Sequence, residues 1–383
     1  MKMINLDHSA TTPLREEVCE AMAPFYSEVF GNPSSLHSSG QGASRALEGC
    51  RKKVAGILGA GPGEIIFTSG GTESDNLAIQ GVAHAAKNRG RHIITSAIEH
   101  SAVLKCCRHL EQEGYDVTYL PVDEHAMVDV ESVISAIRPD TLLISIMLAN
   151  NEVGTIQPIG DIGKRIEKES ILFHTDAVQA AGKIPLRPDD LGVDLLSISG
   201  HKIYGPKGVG LLYVRRGTSI APLMQGGGHE MGFRPGTENV AGVVGLAKAL
   251  ELAEQEREEF CRKISRLRHL LKKGIAESIA DIRINEHPER HLPHILNVSF
   301  GSVDGEALLM ILDTQGIWVS TGAACASGSS EASHVLRAMN VPEKLARGSI
   351  RFSLGRENTE DDIRRVLMTL PDIVAGLRLS RAV

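Results

Sequence analysis

From about residue 14 to residue 215, apolar strand-like runs alternate with helix-patterned segments, and no other feature restricts the fold as much. Helical spacing over 44–58 leads into a strand at 64–68, and a helix over 73–88 leads into a strand at 92–96. Further strands are expected at 117–120, 141–147, 171–175 and 193–198, with 208–214 reading as one more that could run antiparallel. Parallel neighbours need long crossovers, so this alternation predicts an α/β fold with a mainly parallel sheet covered on both faces. After Thr237 the pattern changes to a long helical stretch, 240–279, of one or two helices. Short strands then follow at 294–300, 317–320 and 349–353, separated by helices at 305–314, 333–339 and 359–380. The chain of 383 residues is too long for one small core. It divides into a large domain at 14–254 and a smaller α+β domain built from 1–13 and 255–383.

Composition excludes several classes. A formal net charge of −6 gives no general attraction to nucleic acid or anionic membrane. The start, MKMINLDHSATTP, lacks an apolar stretch of signal-peptide length, and the longest apolar run, 142–149, is far too short to span a bilayer. Six scattered cysteines with no Cys-x-x-Cys pair point to reduced thiols and a cytoplasmic protein. Of these, Cys19, Cys50 and Cys261 are expected to be buried and inert. His287, His291 and His294 are close in sequence, but Pro288 and Pro293 interrupt any helix that would align them. They read as a solvated loop, and no resident metal is expected.

Chemistry-bearing residues fall at the C-terminal ends of predicted strands, where open α/β sheets bind ligands. Thr68-Ser-Gly-Gly-Thr-Glu-Ser-Asp-Asn76 joins a strand to a helix, and its free N–H groups at a helix N-terminus suit a phosphate. It lacks the lysine of a P-loop and the spacing of a dinucleotide fingerprint. His100 follows the strand at 92–96 and could stack on a planar ring or move protons, or simply sit in a loop with its hydrogen bonds satisfied. Asp176 closes the strand at 171–175, where an acid needs a cation or donors. Lys202 sits in Ser197-Ile-Ser-Gly-His-Lys-Ile-Tyr-Gly-Pro-Lys-Gly208, after a buried-looking strand and before a glycine- and proline-rich turn. Taken alone it reads as a surface lysine at a strand end. Together with a phosphate loop, a histidine and an aspartate in that order, it reads as an amine placed to hold pyridoxal phosphate as a Schiff base.

At these residues the chain resembles the fold-type I pyridoxal-phosphate enzymes of aminotransferase class V, most closely the cysteine desulfurases of the NifS/IscS-like branch. The resemblance runs from Leu6-Asp-His-Ser-Ala-Thr-Thr-Pro13 to Arg351-Phe-Ser-Leu-Gly355. It includes Gly31-Asn-Pro-Ser-Ser-Leu-His37, Asn150-Asn-Glu-Val-Gly154 and Arg234-Pro-Gly-Thr-Glu-Asn239. It implies a seven-stranded, mainly parallel sheet in the large domain. It also implies that Lys202 carries the cofactor and moves the Cα proton, with His100 stacked on the ring as an acid–base group. Asp176 would face the ring nitrogen and Gln179 the ring oxygen. Gly71, Thr72, Ser199 and His201 would hold the phosphate, joined by Thr237 from the second subunit of a homodimer. Asn32, Asn151 and Arg351 would bind L-cysteine, with Asn151 also beside the cofactor; a guanidinium fork suits a carboxylate.

Ser320-Thr-Gly-Ala-Ala-Cys-Ala-Ser-Gly328 places Cys325 among small residues, as a tethered nucleophile requires. In the resemblance this loop carries the persulfide cysteine. The implied activity is conversion of L-cysteine to L-alanine, with sulfur passed from Cys325 to an acceptor serving iron–sulfur cluster assembly or tRNA thiolation. Such an acceptor could be an iron–sulfur scaffold protein, with a transient cluster contact at Cys325. Two departures from the family pattern stand out: Ala323 where serine is frequent, and Pro235 where serine precedes Gly236. The rivals are an aminotransferase or selenocysteine lyase on the same scaffold, a non-catalytic assembly protein, and a Cys–His hydrolase built on Cys325.

Overall fold

The computed structural model describes residues 3–321 and 332–381, so Cys325 and the loop around it lie outside the described residues. Twelve strands occur among the described residues. They are β1 (Ile4–Asn5), β2 (Ile65–Thr68), β3 (His92–Ser96), β4 (Asp116–Leu120), β5 (Thr141–Ser145), β6 (Leu172–Asp176), β7 (Leu195–Ser199), β8 (Gly210–Val214), β9 (Ile282–Ile284), β10 (Ile295–Phe300), β11 (Ile317–Trp318) and β12 (Ser349–Ser353). Strands β2 to β8 form one seven-stranded sheet in the order β2-β8-β7-β6-β5-β3-β4. All pairings in it are parallel except the two made by β8.

The two faces of this sheet follow from the period of two along each strand. Ile65, Phe67, Ile94, Phe173, Leu196, Ile198, Leu211 and Tyr213 enter one core, which also takes in the helices Ser38–Leu58 and Val240–Gln255. Ile66, Ile93, Leu143, Leu195, Leu212 and Val214 enter the other, under the helices Gly71–Ala85 and Ser101–Gln112. With both faces covered, β2, β3, β5, β7 and β8 are buried along their whole length and read as largely apolar runs broken by a few polar residues. A third core gathers around the antiparallel sheet β12-β10-β9 and the long helices Arg257–Ser278 and Glu360–Arg381. The N-terminal strand β1 joins this region by pairing in parallel with β11.

Several boundaries differ from expectation, each for a local reason. The stretch 240–279 is two helices, Val240–Gln255 and Arg257–Ser278, meeting at Glu256. The first long helix starts at Ser38 rather than 44, because His37 caps it by accepting the Gly40 N–H. Two glycines in its first turns hid this from propensity. The helix after β2 begins at Gly71, so the Gly-Gly-Thr segment is the helix N-terminus itself. His294 is buried, not solvated, since its carbonyl accepts the Leu354 N–H and the chain enters β10 at the next residue. Cys19 is exposed and Cys50 and Cys261 are half-buried, because their helices turn those positions toward the rim. Among the described residues no helix is long and apolar enough to cross a membrane.

Candidate active site

Parallel β2, β3, β6 and β7 end on one edge of the large sheet, and antiparallel β8 begins there. Gly210, the first residue of β8, brings Gly70 close: a Cβ at position 210 would lie 2.7 Å from Gly70 Cα and 2.6 Å from the Ile198 carbonyl oxygen. Gly70 has φ +152°, which side-chain-bearing residues rarely adopt. The 15-residue helix Gly71–Ala85 therefore presents an open N-terminus at the sheet edge. A cavity of about 450 Å³ lies over it, lined by Gly71, Thr72, Ser199 and His201 with Ala10 and Thr11 from the N-terminal segment. Unpaired N–H groups, the helix dipole and three side-chain donors make this cradle fit a phosphate dianion.

Lys202 ends a short 3-10 turn, Gly200–Lys202, that follows β7. Its Nζ donates to the carbonyl oxygens of Ser9 at 2.6 Å and Ala10 at 2.8 Å. Gln179 Nε2 donates to the same Ser9 oxygen at 3.0 Å, and His201 Nδ1 lies 3.1 Å from Thr11 Oγ1. The N-terminal Asp7–Pro13 segment thus runs across the site and collects Lys202, Gln179 and His201. Asp176, at the end of β6, is buried, and its Oδ1 accepts the Val178 N–H at 2.8 Å. Burial raises its pKa, opposed by the nearby positive ends of His100 and Lys202. An acid in this state welcomes a cationic partner.

His100 caps the helix Ser101–Gln112, with Nδ1 accepting the Ala102 N–H at 3.2 Å. It shares a cavity of about 350 Å³ with Thr72, which also lines the phosphate-sized one, so Thr72 lies between the two spaces. Arg351, in β12, is buried. Its NH1 donates to the Asn151 carbonyl at 2.9 Å, its NH2 to Asp7 Oδ1 at 2.8 Å, and its Nε has no hydrogen-bond partner among the described residues. Asn32 is exposed, its side chain accepting the Ser34 N–H, and it lines neither cavity. Thr237 is exposed too, but its segment is tied to the first turn of the helix Gly71–Ala85 because Arg234 Nε donates to Glu73 Oε1 at 2.9 Å.

Sequence reasoning missed a group of buried ionisable residues behind these side chains. Glu99 is fully buried, accepts hydrogen bonds from the Ser96 hydroxyl and the Met147 N–H, and burial pushes its pKa up to about 8. Asp75, from the helix Gly71–Ala85, is pushed well above the usual carboxylate range by burial and then by the charge of Asp176. His174 bridges Ser145 and Ser197 beside Asp75, and burial lowers its pKa to about 3, so it is neutral. Lys183 is buried with its Nζ on the Lys202 carbonyl at 2.8 Å. Asp75 and His174 could have been suspected from polar residues interrupting a helix face and an apolar strand; Glu99, in the turn after β3, and Lys183 left no such signal. Among the described residues, no group of three or more His, Cys, Asp or Glu side chains is placed to hold a metal ion.

The model of the family "Aminotransferase class-V" matches residues 4–366. The chain belongs to the aminotransferase class V family. Within this family it is similar to a cysteine desulfurase IscS from Dictyoglomus turgidum, 52% identical over 98% of this chain and 95% of the relative. Among solved structures it is similar to a NifS-like protein, with TM-score 0.92 and 42% identity over 98% of this chain and all of the other. It is also similar to SspA in complex with cysteine, with TM-score 0.82 and 39% identity over 92% and 99% of the two chains. The mainly parallel seven-stranded sheet is shared with the NifS-like structure.

Proposed function

We propose that this class V protein is a pyridoxal-phosphate-dependent cysteine desulfurase that converts L-cysteine to L-alanine and places the sulfur on Cys325 as a persulfide. The observation that carries the cofactor part of this reading is the convergence of Lys202 Nζ, buried Asp176 and the Gly70–Gly71 helix N-terminus on one sheet edge. The relatives named for cysteine desulfurase, and SspA named with cysteine, support the substrate.

Gly71, Thr72, Ser199 and His201 would hold the phosphate, Lys202 Nζ the aldehyde carbon, Asp176 the ring nitrogen and Gln179 the ring oxygen, with His100 against the ring face. When bound, pyridoxal phosphate supplies an electron sink for the substrate Cα. Lys202 Nζ takes the Cα proton, and its two carbonyl contacts orient it for the transfer. Arg351 binds the substrate carboxylate, its Asn151 and Asp7 contacts fixing the fork. Asn151, whose carbonyl holds the Arg351 fork, would flank the amino acid, whereas Asn32, exposed and outside both cavities, is assigned there by the resemblance alone. The Cys325 thiolate attacks the substrate sulfur. The Cβ–S bond breaks as the S–S bond forms; the electron pair left on Cβ takes a proton, and the proton that Lys202 removed returns to Cα, which completes alanine.

The wider reading is a homodimer in which Thr237 of one subunit completes the phosphate site of the other. Phe30 and Leu36, flanking Asn32, are 71% and 91% exposed, an apolar edge suited to cover by a second copy. The large domain at 14–254 binds the cofactor, and the small one, from 1–13 and 255–383, carries Cys325. The persulfide serves a sulfur acceptor of iron–sulfur assembly or tRNA thiolation in the cytoplasm. The test incubates the protein with pyridoxal phosphate and L-cysteine and measures alanine and sulfide for the natural chain and Cys325→Ala. No alanine from the natural chain refutes the activity; equal sulfide from the variant refutes the role of Cys325 and favours a different class V reaction.

A further inference from the structure

Lys183 is 8% exposed, and the sole hydrogen-bond acceptor of its Nζ among the described residues is the backbone carbonyl of Lys202, 2.8 Å away. No carboxylate pairs with it among the described residues. Glu256, the acid lining the same small cavity, is engaged through both oxygens by Arg15 at 2.6 and 2.7 Å. A lysine buried without a counter-charge is costly, and an apolar side chain of equal length would be cheaper for packing alone. Burial, and then the charge of Lys202, push the Lys183 pKa down to about 7. The geometry that forces the residue inward is local. Gly182 has φ +69°, and a Cβ there would meet Ala253 at 2.7 Å, so the turn lies flat against the helix Val240–Gln255. The next side chain then points under the Gly200–Lys202 turn.

We propose that Lys183 is a positioning residue for Lys202, its amine holding the Lys202 carbonyl and thereby fixing the turn that presents Lys202 Nζ beside Ser9 and Ala10. The proposal rests on the reading of Lys202 as the cofactor-bearing amine. The Lys202 carbonyl faces Lys183 while the Lys202 amine faces the N-terminal segment, so the residue is gripped from both sides. Without the grip on the carbonyl, the amine is free to leave the orientation in which it reacts, and misplacement of a reacting group by an ångström is costly in rate.

The test separates presentation of Lys202 from integrity of the cradle, using the full chain. Pyridoxamine 5′-phosphate has no aldehyde, so its affinity reports the phosphate and ring contacts without Lys202. The rate at which pyridoxal phosphate is captured, followed by absorbance and trapped with borohydride, reports Lys202. For Lys183→Met the expected result is pyridoxamine phosphate affinity within about twofold of the natural chain and capture slowed on the order of tenfold, with Lys183→Arg restoring capture. Capture by Lys183→Met at the natural rate overturns the proposal, and so does an equal loss of both ligands. If Lys183→Met does not fold, Lys183→Ala, which merely enlarges the adjoining cavity, is read by the same two criteria. A natural chain that traps the cofactor at a lysine other than 202 overturns the underlying reading instead.

Discussion

Glu99→Gln should make the protein progressively more stable than the natural chain as pH rises, and the size of the effect follows from burial. The Glu99 carboxyl is fully buried, with burial pushing its pKa to about 8 from an ordinary 4.5, against the opposing bonds from Ser96 and Met147. Below about 4.5 both folded and unfolded chains hold this proton, so the group has no pH-dependent effect there. Between the two values the unfolded chain releases the proton and the folded chain keeps it. Stability therefore falls as pH rises through this window, by ~1.4 kcal/mol per unit. Above about 8 the folded chain also releases it, and the loss levels off. Over the whole window the cost is of the order of 5 kcal/mol, shared in part with Asp176, whose charge adds to the shift. Glutamine keeps an acceptor for the Met147 N–H and carries no charge, so the variant lacks this cost. Thermal unfolding of both proteins at equal cofactor loading, from pH 5 to pH 9, measures the difference in Tm. It should be near zero or slightly negative at pH 5, climb steadily and flatten past pH 8. A difference that stays constant across the range, or shrinks as pH rises, refutes the assignment of Glu99 as a buried neutral acid.

Two further perturbations probe the frame around the site. Gly210→Ala forces a methyl against backbone at 2.6 and 2.7 Å, displacing the Gly70 loop while the sheet persists; pyridoxal phosphate affinity should fall at least about tenfold by absorbance titration, with far-UV circular dichroism unchanged. Arg51→Ala removes a buried guanidinium that binds both oxygens of Glu230 at 2.8 and 2.9 Å. It should cost about 3–5 kcal/mol in urea unfolding, because Glu230 then keeps, among the described residues, the Phe67 N–H as its hydrogen-bond donor.

Much of the candidate site was legible because its signals are local. Lys202, Asp176 and the Gly-Gly-Thr segment each sit at the end of an apolar run, and a chain turning out of a sheet advertises itself through glycine, proline and small polar residues. His100 was legible as a loop histidine but not as a helix cap, since capping depends on where the helix starts. Arg351 reads alone as an ordinary ion pair. Only β12 lying beside the N-terminal segment brings it to Asp7, 344 positions away, while its contact to Asn151 spans 200.

By itself the sequence determined the alternating strands and helices, the two-sided burial of the central sheet, and the order of the Gly-Gly-Thr segment, His100, Asp176 and Lys202 along the chain. These depend on side-chain periodicity and turn chemistry, which act over a few residues. The tertiary structure alone decided that the Ser9 and Ala10 carbonyls receive Lys202, that Asp75 and Glu99 are buried near Asp176, and that Lys183 grips the turn of Lys202 from behind. The physical reason is that charge and proton affinity in an interior are set by whatever distant segments exclude water from a group, and no window of sequence contains them.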